Sequence, residues 1–320
     1  MNTTTVRNLS CGASLLMRRH PMEFDSAMSP LTHISMKLRD QLSRHFVDAI
    51  EPELWDRIRS IEAGQNEFGF DPFGFQPEFL KFVVPPTHWV YRHYFRVETF
   101  GIENIPTEGR VILVANHSGQ IAFDAMMLGS ACLFDLTPPR IVRSMVERWV
   151  PTIPFVSWFF ARLGQVVGTR DNARALLQRD GCLLVFPEGV RGISKAYDRA
   201  YELEEFGLGF MRLALETDTT IVPIGVVGAE EQLPSVVNLD TVAKSLGLPS
   251  LPLTPAMLLL GPLGGLPMPV KYRIHFGKPL HFKGAADDED STIRTHVEEV
   301  RKSIKSLLDH GLKTREGVFW

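Results

Sequence analysis

Two short segments of the chain place reactive side chains directly after apolar runs. In the first, VILVANHSGQIAFD at residues 111–124, an apolar run leads into His117, and Asp124 follows seven residues later. A neutral imidazole can take a proton from a hydroxyl near neutral pH, because its unperturbed pKa is about 6.5. A carboxylate on the other ring nitrogen would fix the tautomer and stabilise the imidazolium. The pattern predicts a general base and its orienting partner.

The spacing of His117 and Asp124 restricts the backbone between them. On one continuous helix the two residues would stand about two turns, or roughly 10 Å, apart, which is too far for a hydrogen bond. The pairing therefore requires residues 118–120 to fold back as a loop. Taken alone, a histidine near an aspartate is more often structural than catalytic, and that alternative stays open at this point.

The second segment, GCLLVFPEGVRG at residues 181–192, ends an apolar run in Phe-Pro-Glu-Gly. Proline ends a strand, and glycine lets the backbone approach a ligand. We expect Glu188 and Arg191 in a tight turn near His117. The structural alternative is an ordinary strand-ending turn with a surface ion pair.

Between these segments lies LGQVVGTR at residues 163–170, a short apolar run that ends at Arg170. A guanidinium is a rigid fork of donors that suits phosphate, so Arg170 and Arg191 together could hold a phosphorylated substrate. The alternative is that Arg170 pairs with Asp171 or with a carboxylate on a helix.

The elements that would position these residues follow an α/β pattern. Short β-rich runs separated by helical segments begin at Phe95, and sites in such folds commonly form where strands end. The predicted strands are Phe95–Thr99, Arg110–Ala115, Gln165–Gly168, Cys182–Phe186, Thr220–Val227 and Lys271–Phe276. The predicted helices between them are Phe123–Leu133, Asp171–Asp180 and Phe206–Glu216.

The rest of the chain is predicted to frame this core. We expect a disordered leader at residues 1–28, an N-terminal helical region at 29–94, the α/β domain at 95–312 and a tail at 313–320. Apolar positions recur at helical spacing in two predicted amphipathic helices, at Ile34, Leu38, Leu42, Phe46 and Ile50, and at Leu54, Ile58 and Ile61 after Pro52. A final helix should follow the acidic run Asp287–Asp290, with Gly311 placed to end it.

Two apolar stretches bear on membrane contact. Ser245–Val270 carries no charge, but proline and glycine interrupt it repeatedly, which argues against a spanning helix. Val150–Ala161 combines two Pro, one Trp and three Phe beside Arg148 and Arg162. A buried helix is slightly favoured there over a face that lies on lipid. The aromatic run from Phe68 to Phe75 is interpreted as a loop that caps the core, in preference to one that contacts an acyl chain.

The composition bears on partners and compartment. The formal net charge is −3, so a nucleic-acid partner is not expected. Cys11, Cys132 and Cys182 are an odd number at wide spacing, which is typical of reduced thiols in the cytosol. The N-terminus shows no sustained hydrophobic segment, so no secretory signal is predicted.

Four segments, taken in order, resemble the blocks of a known family. They run from His117 to Asp124, from Gly164 to Arg170, from Phe186 to Arg191 and from Ile221 to Ile224, within residues 95–228. Together they resemble the phospholipid and glycerol acyltransferases, the PlsC-like lysophospholipid acyltransferase superfamily. Two features depart from the family pattern. Six residues instead of four separate the histidine from the aspartate, and Val190 and Gly192 stand where the family often has hydroxyl residues.

The resemblance implies a fold, a reaction and a site. The fold would be α/β, a central mixed sheet flanked by helices, with N-terminal helices and a C-terminal helix. The reaction would move a fatty acyl group from an acyl thioester, on coenzyme A (acyl-CoA) or acyl carrier protein (acyl-ACP), to a hydroxyl of a glycerolipid or lysophospholipid. The implied site is His117 as general base, Asp124 as its partner, and Ser118, Gly119, Arg170, Glu188, Gly189, Val190 and Arg191 around the substrate.

The resemblance also implies a cellular location and a reaction without a cofactor. The thioester is a co-substrate, and no cofactor is expected. No metal site is predicted, since the sequence has no His-Glu-x-x-His motif and no cysteine pair at zinc spacing. The expected place is the cytoplasm, with peripheral contact to the inner face of the membrane. The alternatives are a lipid thioesterase or hydrolase, and a non-catalytic lipid-binding protein of the same fold.

Overall fold

The structure, a computed structural model, describes residues 52–61, 64–117, 123–147, 152–153, 155–193, 195, 197–235, 237–238 and 252–320. All of these residues belong to one unit, Phe46–Trp320. The predicted leader and the predicted helix from Ile34 to Ile50 lie outside the described residues.

A seven-stranded mixed sheet forms the centre of this unit. Its strands are β1 (Glu98–Phe100), β2 (Val111–Ala115), β3 (Val142–Val146), β4 (Val166–Val167), β5 (Cys182–Val185), β6 (Thr220–Val227) and β9 (Arg273–Phe276). They lie in the order β1-β9-β6-β2-β5-β3-β4. Neighbours run parallel, except that β6 and β9 run antiparallel. The mixed sheet implied by the resemblance is confirmed. A separate pair, β7 (Val237–Asn238) and β8 (Pro252–Leu253), runs antiparallel.

Helices cover both faces of the sheet. They are α1 (Pro52–Arg59), α2 (Leu80–Trp89), α3 (Phe123–Phe134), α4 (Val156–Arg162), α5 (Arg170–Leu177), α6 (Val190–Ile193), α7 (Gly209–Thr217), α8 (Pro255–Leu260) and α9 (Asp290–Thr314). Helices α1, α2 and α3 contribute to one buried cluster, and α5, α7 and α9 to the other. The predicted pattern of a sheet between helices is therefore observed.

Strand β2 shows why the sheet needs helices on both faces. All five of its residues are buried. Side chains alternate across a strand, so Val111 and Leu113 pack in the cluster with α3, whereas Ile112 and Val114 pack in the cluster with α9. A continuous apolar run of this kind is typical of a strand with no solvent face, and its end is a rigid support for the two residues after it, Asn116 and His117.

Two of the observed elements that the sequence did not single out have polar or proline residues inside them. Strand β3, Val142–Val146, was not predicted, because Arg143 and Ser144 break its apolar run. Both polar residues are nevertheless buried. Helix α2 lies within the predicted helical region at 29–94 but was not placed there individually, because Pro85 and Pro86 lie inside it and proline usually disrupts a helix interior.

The aromatic loop at residues 64–76 has neither helix nor strand, as predicted. Phe75 is fully buried in the core, while Phe68 is exposed. The carboxylate of Asp71 accepts hydrogen bonds from the backbone N–H groups of Phe73 and Phe75, each at 2.8 Å, and pairs with the buried guanidinium of Arg143. This ion pair fixes the loop against β3.

Gly311 does not end the C-terminal helix, contrary to the prediction. Helix α9 continues to Thr314. A Cβ atom at position 311 would lie 2.7 Å from Nε2 of His275 and 2.9 Å from Cγ2 of Val227. The glycine therefore allows α9 to approach β9 and β6 closely.

The aromatic segment at α4 is helical, but the prediction that it is buried is wrong. Phe155, Trp158 and Phe159 are 86%, 50% and 39% exposed. The guanidinium of Arg162 lies over the Trp158 ring, 4.1 Å from its centroid. Among the residues that the structure describes, no helix combines the length and apolar character needed to cross a bilayer.

The last residues are tied to the sheet. The backbone N–H of Lys271 donates to the carbonyl of Val318 at 2.8 Å, and the Arg273 guanidinium donates to the carbonyl of Trp320 at 2.7 Å. The predicted boundary between domain and tail at 312 stays a prediction. Cys132 and Cys182 are buried free thiols, as predicted, and Cys11 lies outside the described residues.

Candidate active site

His117 lies two residues beyond the end of β2, at the edge where β5 and β6 also end. The residue before it, Asn116, is fully buried and joins β2 to β6 through its side chain. Its amide nitrogen donates to the carbonyl of Val226 at 3.1 Å, and its amide oxygen accepts from the N–H of Val226 at 2.8 Å. These two hydrogen bonds fix the backbone just before His117.

The predicted contact between His117 and Asp124 is present. Nδ1 of His117 lies 2.7 Å from Oδ2 of Asp124. The Asp124 side chain, in the first turn of α3, is fully buried, and that of His117 is 14% exposed. The other oxygen of Asp124 accepts from the N–H of Ala125 at 2.8 Å. When Nδ1–H donates to the carboxylate, Nε2 carries the lone pair, which is the tautomer that a base requires.

Phe186 restricts the imidazole ring from a second direction. Its ring stacks on that of His117, with centroids 4.1 Å apart and planes inclined by 19°. Phe186 follows the last residue of β5, whose neighbour in the sheet is β2. Two neighbouring strand ends therefore position one side chain.

Glu188 uses both of its carboxylate oxygens within the protein. Oε1 accepts from the backbone N–H of His117 at 2.9 Å, and Oε2 accepts from the backbone N–H of Glu204 at 2.8 Å. The residue is only 2% exposed. The predicted turn thus comes next to His117. Contact of Glu188 with a substrate stays a prediction.

Two glycines shape this turn. Gly189 has a φ of +58°, in the left-handed region that favours glycine. A Cβ atom at Gly192 would lie 2.8 Å from the carbonyl oxygen and 3.0 Å from the Cβ of His117. Gly192 therefore packs directly against His117, and a side chain at this position would require His117 or the turn to shift.

A buried cation stands behind the turn. The Lys195 ammonium lies 3.1 Å from Oε1 of Glu230 and 3.7 Å from Oε2 of Glu188, and it donates to the carbonyl of Glu202 at 2.6 Å. Burial raises the pKa of the Glu230 carboxyl to about 7, although Lys195 acts in the opposite direction. Sequence analysis missed both residues. The available signal was a pair of glutamates, Glu230–Glu231, directly after the apolar strand β6.

The structure does not bring Arg170 to His117. Its guanidinium donates to Oε2 of Glu216 at 2.8 Å, and its side chain is 58% exposed. Glu216 precedes the first residue of β6 by four positions, whereas His117 follows the last residue of β2. Arg170 itself follows the last residue of β4 by three positions, and both of its observed side-chain hydrogen bonds go to Glu216. The observed contact is the alternative given above, in which Arg170 pairs with a carboxylate on a helix.

Arg191 lies closer to the site in the chain but is also paired. It donates to the carbonyl of Glu205 at 2.9 Å, and a guanidinium nitrogen lies 3.8 Å from the Glu205 carboxylate. Its side chain is 58% exposed, as expected for the surface ion pair of the structural alternative. Ser118 and Gly119 lie outside the described residues. Val190 is the first residue of α6.

Comparisons with known proteins identify the family of the chain. A family model described as Acyltransferase matches residues 96–227, which include both segments that meet at His117. An uncharacterized protein of Mycobacterium leprae is 36% identical over 260 residues, covering 80% of this chain and 71% of the relative. An uncharacterized protein of Mycobacterium tuberculosis is 34% identical over 260 residues, covering 80% of this chain and 73% of the relative.

Two characterised proteins are more distantly similar. The 1-acyl-sn-glycerol-3-phosphate acyltransferase of Borreliella burgdorferi is 26% identical over 134 residues, which is 39% of this chain and 48% of that protein. The crystal structure of the 1-acyl-sn-glycerophosphate acyltransferase PlsC from Thermotoga maritima aligns with a TM-score of 0.47 at 18% identity, covering 88% of this chain and 99% of that one. From its family match and the relatives that it covers over most of their length, the chain belongs to the Acyltransferase family.

Proposed function

We propose that this acyltransferase moves a fatty acyl group from an acyl thioester, acyl-CoA or acyl-ACP, to a hydroxyl of a glycerolipid or lysophospholipid. The observation that carries the proposal is the contact of 2.7 Å between His117 Nδ1 and the fully buried carboxylate of Asp124. In a member of this family, such a pair at a strand end supports a general base that acts through Nε2.

In the proposed reaction, the acceptor hydroxyl gives its proton to Nε2 of His117 as its oxygen bonds to the thioester carbonyl carbon. The carbon–sulfur bond then breaks, and the leaving thiolate takes the proton from the imidazolium. The products are an ester and a free thiol, and no acyl-enzyme forms. Asp124 stabilises the imidazolium, and its burial strengthens that interaction because the local dielectric is low.

The developing oxyanion needs a hydrogen-bond donor. The sequence offers backbone N–H groups at Gly189 or at Ser118–Gly119. The N–H of Gly189 donates to the carbonyl of Phe186 at 3.1 Å, so it is engaged within its own turn. We therefore assign the oxyanion, as part of the proposal, to the N–H groups of residues 118 and 119.

An acceptor phosphate would be held by an arginine. Arg191 is the better supported candidate, since it follows Glu188 by three residues in the turn that contacts His117. Arg170 remains a candidate, although its observed partner is Glu216. Either arginine would exchange a carboxylate partner for phosphate. The name of the Borreliella burgdorferi relative makes 1-acyl-glycerol 3-phosphate the first acceptor to test.

We also propose that the protein works in the cytoplasm, against the inner face of the membrane. The exposed aromatic side chains Phe155, Trp158 and Phe159, with Arg162 beside them, support peripheral contact. Aromatic and cationic side chains together suit the interface between lipid headgroups and acyl chains.

Incubation of the protein with labelled palmitoyl-CoA or palmitoyl-ACP and a panel of lysophospholipids and neutral glycerides tests the proposal. We expect labelled ester from the natural protein and none above background from His117→Ala. His281→Ala is the matched control. His281 also pairs with an aspartate, Asp218 at 3.2 Å, but on the exposed surface.

The same assay separates the alternatives. Free fatty acid that forms at the same rate without any acceptor would indicate a hydrolase. No product from either donor, with folded protein, would favour a non-catalytic lipid-binding protein. The observed hydrogen bond of His117 to Asp124 weighs against that last alternative, because a protein that has lost the reaction need not keep this pair together.

A further inference from the structure

Lys195 holds its ammonium in the protein interior beside the candidate site. The side chain is 3% exposed, and those of its two carboxylate neighbours, Glu188 and Glu230, are 0% and 7% exposed. Removing three charged groups from water is unfavourable unless they compensate one another. These three residues, the Lys195 cluster, therefore form one electrostatic unit.

The cluster joins separate parts of the chain. Glu188 belongs to the turn after β5, and Glu230 follows the end of β6. The second oxygen of Glu230 accepts from the backbone N–H of Tyr201 at 3.0 Å, and Lys195 donates to the carbonyl of Glu202 at 2.6 Å. The ammonium is thus held by the segment at 201–202 and by the end of β6, while it faces Glu188.

Glu188 transmits this arrangement to the candidate base. Its two oxygens accept from the backbone N–H groups of His117 and Glu204, at 2.9 and 2.8 Å. A carboxylate can accept on both oxygens, and the ammonium 3.7 Å away compensates its charge. Asp124 holds the ring of His117, and Glu188 holds its backbone.

We propose that Lys195 is a positioning residue for acyl transfer. It acts through Glu188 to hold the backbone of His117 where Nε2 can take the proton of the acceptor hydroxyl. The proposal rests on the proposed function, since it assigns Lys195 a part in that reaction. Misplacement of a reacting group by about 1 Å can slow a reaction by about 100-fold, so a residue behind the site can control the rate.

A merely structural ion pair would predict different effects of removing Lys195. If Lys195 served only the fold, its loss would lower the amount or stability of folded protein, and the remaining folded molecules would react at the natural rate. If it acts through Glu188, its loss should lower kcat and leave the KM values nearly unchanged. The loss should also disappear once Glu188 has already been changed, because the two effects share one route.

A double-mutant cycle tests this route. The variants are Lys195→Met, Glu188→Gln and the double variant, with Lys305→Met as a matched control. Lys305 lies on α9 and pairs with Asp309 at 2.5 Å, but it is half exposed. The readouts are kcat and the KM for donor and acceptor, measured per folded molecule, with folding checked by circular dichroism and gel filtration.

We expect Lys195→Met to lower kcat by about 10–100-fold. We expect the double variant to fall within about twofold of Glu188→Gln, as strong coupling requires. Lys305→Met should keep the natural rate. Natural kcat in folded Lys195→Met, or losses that multiply in the double variant, would overturn the proposal.

Two further measurements keep the test decisive. Should Lys195→Met fail to fold, Lys195→Gln replaces it in the cycle, since its amide can still donate to the carbonyl of Glu202 but carries no charge. The same loss of kcat, about 10–100-fold, is expected, and a natural kcat in the folded variant would overturn the proposal. Should the natural protein transfer no acyl group, the proposed function fails. The Cε1–H signal of His117 in histidine-labelled protein still tests positioning, because it should shift in Lys195→Met and not in Lys305→Met.

Discussion

His117 and His275, two histidines of the sheet region, lie in opposite environments. His117 lies beyond the end of β2 and contacts the carboxylate of Asp124 at 2.7 Å. His275 lies inside β9, is 5% exposed, and its Nε2 has no hydrogen-bond partner within the described part of the chain. Burial lowers the pKa of His275 to about 4, and the nearby His310 and Arg273 act in the same direction. A base needs a partner for its charged form, and of these two histidines His117 is the one beside a carboxylate.

A glycine packs against each histidine, so the comparison can be tested with matched changes. Gly192 lies against the backbone of His117, and Gly311 lies against the ring of His275. The same small residue serves a candidate reaction site in one case and the packing of a helix on a sheet in the other. Changes around His117 should affect the rate, and changes around His275 should affect stability.

Among changes to the surroundings of the two histidines, the largest effect is expected from Asp124→Asn. The amide NH2 would donate to Nδ1 of His117, so the ring proton would move to Nε2 and block the base. We expect kcat to fall by about 10²–10³-fold with little change in circular dichroism. Asp218→Asn, on the surface beside His281, is the control and should keep the natural rate. A loss below tenfold for Asp124→Asn would show that the pair has no catalytic role.

The second prediction concerns His275 and the dependence of stability on pH. The pKa is lowered from 6.5 to about 4, so the unfolded chain binds this proton more readily than the folded protein. The stabilisation is present above pH 6.5, and about 3 kcal/mol of it is lost as the pH falls towards 4. Urea unfolding at a series of pH values measures the effect.

The matched protein for this measurement is His275→Gln, which cannot take up the proton. Glu230 must be considered as well, since its pKa is raised to about 7 and its contribution is lost as the pH rises from 4.5 through 7. The two contributions oppose each other, so the difference between the two proteins is the quantity to compare. A difference that stays constant between pH 7 and 4 would contradict the assignment to His275.

The third prediction compares the two glycines. Gly192→Ala would place a Cβ atom 2.8 Å from the carbonyl oxygen of His117, and Gly311→Ala would place one 2.7 Å from Nε2 of His275. Each substitution should lower the free energy of unfolding by about 1–3 kcal/mol through overpacking. In folded protein, only Gly192→Ala should lower kcat. Activity assays and chemical unfolding of both variants will measure the two effects separately. Equal losses of kcat would remove the distinction between the two histidines.

The smallest effect is expected at the exposed arginines. Arg191→Ala should raise the KM for a phosphorylated acceptor by about tenfold and leave that for a neutral acceptor unchanged, since a charge-assisted hydrogen bond contributes about 1.5–3 kcal/mol at most. Arg170→Ala should have a smaller effect, because two hydrogen bonds already engage the Arg170 guanidinium with Glu216. Equal losses with both acceptors would count against phosphate recognition.

The sequence predicted those parts of the fold that depend on local pattern. The run Thr220–Val227 was predicted at its observed bounds, and the contact between His117 and Asp124 was predicted from residue types after an apolar run. The loop that this contact requires at residues 118–120 lies outside the described residues. Strand β3 was missed because the partners of Arg143, namely Asp71 and the carbonyl of Gly164, are distant in the chain. Burial of a charged residue in a strand depends on such tertiary contacts, which no local pattern displays.

The residues that meet at the candidate site were predictable, but the contacts that support them were not. His117, Asp124 and the turn at Glu188 were found from residue types at strand ends. The route from Lys195 through Glu188 to the backbone of His117 was not, because it depends on side-chain hydrogen bonds to backbone atoms far along the chain. The contact of Gly192 with His117 was not predicted for the same reason.

The most direct test of the central claim is the single-turnover rate of acyl transfer to the best acceptor, compared among the natural protein, His117→Ala and His281→Ala. If His117 is the general base, His117→Ala should lose about 10²–10⁴-fold in rate while it stays folded, and His281→Ala should react like the natural protein. A folded His117→Ala variant that transfers acyl groups at the natural rate would contradict the assignment of His117 as the base.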